Sequence, residues 1–109
     1  IIGIKMLNCK EFLKETNNLC VDGSITFSNA YIIMQLGCQI INELKFINVD
    51  LNNLKHSDSS GLAVISAWVR YAYKQNKLLT IFDMPKFLFD LSKASNLEQF
   101  FPISKLNKY

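Results

Sequence analysis

Apolar residues recur at positions 30, 33, 34, 37, 40, 41 and 44. Spacing of i, i+3, i+4, i+7 predicts a helix over about 28–44 with one packed face, and Ser28 suits its N-cap. Gly37 interrupts this pattern at a cost of about 1 kcal/mol against Ala, which marks a close approach, read here as one to the sheet. Upstream, Glu11 to Lys14 and Leu19 to Asp22 read as two short strands. The turn signal Thr16-Asn17-Asn18 lies between them, so an antiparallel hairpin is expected. Downstream, Phe46 to Leu51 alternates as a strand, Asn52 to Ser57 reads as a loop, and a second helix is expected over about 59–75. Asn76 fits the left-handed end of that helix. Lys77 to Phe82 is a strand, Pro85 suits the first turn of a helix over about 85–95, and Asn96 to Phe101 forms a short final turn. Residues 1–8 either add a little strand or trail, and 104–109 are expected to be a loose tail.

The resulting order is ββ-αβαβα. Strand–helix–strand units imply parallel neighbours, so the expectation is an α/β fold. Its sheet is mixed but mostly parallel, with an N-terminal hairpin and helices mainly on one face. The 109 residues form one domain whose core runs from about 10 to 102.

Composition narrows the function. Half of the residues are hydrophobic and 19% are charged, which is globular composition. The net charge of +3 comes without the Lys/Arg run that tracks a phosphate backbone, so nucleic acid is not an expected partner. The longest apolar stretch, Phe27 to Ile41, carries Ser28, Asn29, Gln35 and Gln39 and is too short to span a bilayer, and direct membrane insertion is not expected. Lys105 and Lys108 are too few to hold an anionic membrane surface. Cys9, Cys20 and Cys38 match no metal or redox spacing and read as reduced thiols, and the lone His56 rules out a His-rich metal site. The chain shows no nucleophile–base pair, no glycine-rich phosphate loop and no paired acids, so neither an enzyme nor a cofactor is expected.

Residues 58–61 carry the most information. Asp58 directly precedes a helical pattern and can accept from the free N–H groups of its first turn, as an N-cap does. Ser59 then opens the helix with its hydroxyl outside the core. Gly61 lacks a side chain, so another chain segment can come close. On these grounds alone Asp-Ser-Ser-Gly is either a good helix start or a site.

Asp50-Leu51-Asn52 followed by Asp58-Ser59-Ser60-Gly61-Leu62-Ala63 resembles the signature of the STAS domain family, and the resemblance covers roughly residues 10–102. That family includes anti-sigma factor antagonists, the cytoplasmic tails of sulfate transporters and MlaB-type subunits of phospholipid transporters. Leu19 to Ile25, Gly61-Leu62-Ala63-Val64-Ile65, and Asp83-Met84-Pro85 with Leu88, Leu91 and Leu97 look most like MlaB. Ser60 departs from it, because Asp-Ser-Ser-Gly is the antagonists' spelling. The MlaB likeness implies a cytoplasmic subunit that docks on the ATPase of a phospholipid-transporting ABC complex, reaches the inner membrane and its permease only through that partner, and has no catalysis of its own. The alternative is an anti-sigma factor antagonist regulated by phosphorylation of Ser59.

Helical projection of 59–75 places Leu62, Ile65, Ser66, Val69, Ala72 and Tyr73 toward the sheet. The far side carries Ala63, Val64, Ala67 and Tyr71, with Trp68 at the border, which is apolar for a surface. The expected partner-binding set is therefore Ser59, Ser60, Gly61, Ala63, Val64, Ala67, Trp68 and Tyr71, with His56 as a rim contact. For Trp68, packing under a neighbouring helix is the equal alternative.

Overall fold

The computed structural model describes residues 4–8 and 17–106. Its elements are β1 (Ile4–Asn8), β2 (Asn18–Ile25), α1 (Ala30–Glu43), β3 (Phe46–Asp50), β4 (Leu54–Ser57), α2 (Ser60–Lys74), β5 (Leu78–Met84), α3 (Lys86–Ala94), a 3-10 turn (Glu98–Phe100) and β6 (Ile103–Leu106). The sheet order is β1-β2-β3-β5-β6, with β4 beside β2. β1 runs antiparallel to β2, and every other pairing is parallel. The α/β class and the mostly parallel mixed sheet are as the periodicity predicts.

One face of the sheet makes the core. Leu19 and Val21 of β2, Ile47 and Val49 of β3, and Leu79 and Ile81 of β5 are buried, while their alternating neighbours Asn48, Asp50, Thr80 and Phe82 stay half-covered. Strands buried on one face only read as alternation, and the helices supply the cover. Ile33 and Ile41 of α1, Leu62, Ile65 and Ala72 of α2, and Leu88 of α3 complete the core.

Several boundaries differ from the sequence reading. The antiparallel partner of β2 is Ile4–Asn8, with Met6 opposite Val21. The strand expected at 11–14 lies outside the described residues. Ser28 does not cap α1. Asn29 holds the cap position, and its side chain is tied to the preceding turn, accepting from Thr26 N–H at 2.8 Å and donating to Ser24 O at 3.1 Å. Residues 104–106, expected in a loose tail, belong to the parallel strand β6 against β5. Cys20 is disulfide-bonded, against the expectation of three reduced thiols, and Cys38 is free.

The strand β4 was expected to be loop. Asp50 accepts from Asn52 N–H at 2.9 Å, which turns the chain at the end of β3. The chain then resumes in the same direction beside the second half of β2. Asn18 to Cys20 pair with Asn48 to Asp50, whereas Gly23 to Ile25 pair with Leu54 to Ser57. Gly23, at φ 115°, takes the conformation that this change of neighbour needs. β4 therefore delivers the chain in register with β2 to the start of α2.

Candidate functional site

The start of α2 is built by one carboxylate. Asp58 accepts from Ser60 N–H at 2.8 Å and from the Ser60 hydroxyl with one oxygen, and from Phe27 N–H at 3.1 Å with the other. Its own N–H donates to Ile25 O at 3.2 Å, and its carbonyl accepts from Gly61 N–H at 3.0 Å. Asp58 thus performs the capping chemistry expected of it, although the regular helix begins at Ser60. The hydrogen bond from the Ser60 hydroxyl, then that from Ser60 N–H, holds the Asp58 carboxyl below its ordinary range.

Gly61 is required by sterics. A Cβ there would lie 2.0 Å from Ser57 Oγ and 3.2 Å from Ser57 Cβ. Ser57 is held in turn, its hydroxyl donating to Asp58 O at 2.8 Å. The close approach anticipated at Gly61 is that of β4's last residue.

Ser59 is exposed, and its hydroxyl enters no hydrogen bond among the described residues. Asp58 and Ser60, on either side, are both consumed in structure. The arrangement presents one neutral hydroxyl to solvent at the positive end of a 15-residue helix. That hydroxyl suits close hydrogen bonding or acceptance of a phosphoryl group. His56 is exposed on β4, opposite Ser24. No group of three or more metal-binding side chains occurs among the described residues.

The predicted contact set divides. Ser59, Ala63 and His56 are exposed, and Ala67 and Tyr71 are half-buried. Val64 and Trp68 are core residues, at 2% and 0% exposure, and offer nothing to a partner. The reason is α1, which packs along the side of α2 that projection left open. Trp68 Nε1 donates to Met34 O at 3.0 Å, and the Tyr71 hydroxyl donates to Asn42 Oδ1 at 3.0 Å. Ser60 and Gly61 are buried, the first bonded to Asp58 and the second lying against Ser57. Tyr73, assigned to the sheet side, is 80% exposed. It lines a largely apolar groove of about 440 Å³ with Val69, Arg70, Leu97 and Phe100.

Phe27 was missed. It is 80% exposed, and the Asp58 carboxylate holds its N–H. It opens the apolar stretch Phe27 to Ile41, and the sequence reading gave it no role.

No family model matches this sequence, and no curated protein does. Solved structures do. The chain is similar to an anti-sigma factor antagonist from Thermotoga maritima with a TM-score of 0.67 at 14% identity, over 84% of this chain and 80% of that one. It is similar to the unphosphorylated form of the anti-sigma factor antagonist SpoIIAA with a TM-score of 0.67 at 13% identity, over 94% of this chain and 88% of that one. The strand order, the helix opening at Asp58-Ser59 and these likenesses agree that the chain has the STAS fold.

Proposed function

We propose that this chain is a non-catalytic docking domain that engages a protein partner in the cytoplasm through the start of α2, with Ser59 as the residue that admits or refuses the partner. One observation carries this reading. Of the Asp-Ser-Ser segment, Ser59 alone is exposed with a side chain that makes no hydrogen bond among the described residues, on a frame that its neighbours hold rigidly. A neutral hydroxyl there bonds a closely packed partner. A phosphate adds about −1.5 to −2 charges, and an acidic or tightly packed partner rejects it.

Two partners fit. The first is an anti-sigma factor, with the chain acting as a phosphorylation-controlled antagonist; the fold neighbours and the Ser60 spelling support it. The second is the ATPase subunit of a phospholipid-transporting ABC complex, with the chain in the MlaB role. The Gly61-Leu62-Ala63 spelling supports this one, and the exposed Ala63 stands one turn from Ser59.

Affinity purification from the native cells, with wild type and Ser59→Glu in parallel and mass spectrometry as readout, separates them. Recovery of a kinase-like anti-sigma factor, with phosphate on Ser59, supports the first. Recovery of an ABC ATPase with its permease, lost in the variant, supports the second. A partner retained equally by both proteins refutes the role of Ser59.

A further inference from the structure

We propose that the groove between α2 and the 3-10 turn binds a free fatty acid, with its carboxylate on Arg70 and its chain along the apolar walls. The groove lies toward the end of α2 that is far from Ser59, and it stands independently of the docking reading.

The sheet and α1 cover two sides of α2. The third side carries Ser66, Val69, Arg70 and Tyr73, whose i, i+3, i+4, i+7 spacing makes one stripe. Across an open cavity of about 440 Å³ this stripe faces Leu97, Phe100 and Phe101. A second cavity of about 370 Å³ continues to Leu78 and Pro102. The two share Val69, Tyr73, Phe100 and Phe101, so together they form one elongated groove. Tyr73, Leu78 and Phe100, three large apolar side chains left 65–80% exposed, all line it. The wall opposite α2 is fixed by backbone bonds. Leu97 N–H donates to Ser92 O at 2.8 Å, and Ile81 N–H donates to Pro102 O at 2.8 Å.

Shape and lining select a chain. Ligand cavities run to about 300–1,000 Å³, and this one lies at the small end, which favours one alkyl chain over two. A peptide or a second copy of the protein would bring backbone N–H and C=O groups that apolar walls do not satisfy. An alkyl chain brings none.

Charge selects the head. Arg70 is the one charged side chain lining the first cavity, Lys77 is the one lining the second, and no carboxylate lines either. The Lys77 ammonium is held by Ile41 O and Asn42 O. Arg70 is exposed and forms no ion pair among the described residues. Residues 66–78 and 97–102 carry Arg70, Lys74 and Lys77 against Glu98, a net charge of +2. The Ser66 hydroxyl lines the same end of the groove, one turn before Arg70, and makes no hydrogen bond among the described residues. A guanidinium fork with a hydroxyl beside it matches a carboxylate.

The test is equilibrium dialysis of the full chain against decanoate, below its micelle concentration, and against decanol. Wild type, Arg70→Gln, Phe100→Ser and Ser59→Glu are compared. Decanoate is expected to bind wild type one to one and more tightly than decanol. Arg70→Gln weakens decanoate about tenfold, as loss of a charge-assisted hydrogen bond does, and leaves decanol unchanged. Phe100→Ser weakens both severalfold. Ser59→Glu binds like wild type. Arg70 and Phe100 are exposed, so thermal melts of their variants match the wild type. No saturable binding of decanoate, or equal binding by Phe100→Ser, overturns the site. Decanol held as tightly as decanoate, or an Arg70→Gln variant with wild-type affinity, overturns the anionic head. A dimer in sedimentation that Phe100→Ser dissolves and decanoate does not puts a second copy in the groove, and the inference falls.

Discussion

Trp68 of α2 occupies the space that a side chain at Gly37 of α1 would fill. A Cβ at Gly37 would lie 2.2 Å from Trp68 Cε2, well inside contact distance. Trp68 is fully buried and donates its indole N–H to Met34 O, one turn before Gly37. The close approach that Gly37 marks is thus helix on helix, not helix on sheet.

Two effects oppose each other in Gly37→Ala. Helix propensity favours Ala by about 1 kcal/mol. Overpacking costs about 1–3 kcal/mol or more, and a rigid indole held by a hydrogen bond cannot step aside cheaply. Packing wins, so the variant is expected to lose about 1–2 kcal/mol in urea unfolding. In a Trp68→Leu background the same substitution becomes neutral or stabilising, because the clashing ring atoms are gone. Equal penalties in both backgrounds would show that Trp68 is not the obstacle.

Periodicity placed the helices well, and the same instrument explains the errors at Val64 and Trp68. A projection orders residues around one helix but does not say how many sides are covered. α2 is covered on two, by the sheet and by α1, so an apolar far side was buried and not offered. β4 was illegible for a different reason. Its residues Leu54-Lys55-His56-Ser57 have one apolar member, and their strand geometry comes from pairing with β2, which sequence does not show. β6 was hidden likewise, as a short terminal segment defined only by Met84 and its neighbours in β5. Asp58 and Ser59 were legible because capping is local chemistry. Phe27 was not, since exposure of an aromatic in an apolar run is a tertiary property.

Lys77 follows α2 but serves α1. Its ammonium donates to Ile41 O at 2.8 Å and Asn42 O at 3.0 Å, carbonyls in that helix's last turn, the first of which also accepts from Leu44 N–H at 3.3 Å. A cation there also meets the negative end of the helix dipole. Lys77→Met keeps the aliphatic stem and removes both bonds, and is expected to lose about 1 kcal/mol in chemical unfolding. Lys74→Met, on an exposed site with no such bonds, serves as control and stays within about 0.5 kcal/mol of wild type.

Asp58 links stability to pH. Its folded pKa lies below the ordinary value of 3.8, through the Ser60 hydroxyl first and Ser60 N–H second. A depressed carboxyl contributes stability that is fully present above the unfolded value and is lost as pH falls through the folded one. Asp58→Asn is therefore expected to lower the melting temperature at neutral pH and to lose part of the wild type's decline below pH 3.8. Parallel acid slopes for the two proteins would assign the decline to other groups.

Ser59→Glu separates binding from folding. The site is exposed and its side chain makes no hydrogen bond among the described residues, so replacing that side chain removes no bond from the fold. The new carboxylate meets two opposing fields. The helix N-terminus attracts it by about 0.3–1 kcal/mol. Asp58 repels it, with its charge spread over three hydrogen bonds. These terms nearly cancel, and unfolding free energy is expected to stay within about 0.5 kcal/mol of wild type. Any loss of partner binding by this variant is then a surface effect, because the helix start that presents residue 59 remains intact. A large drop in stability would instead mean that Ser59 belongs to the frame with Asp58 and Ser60, and that its role is to build the helix start and not to meet a partner.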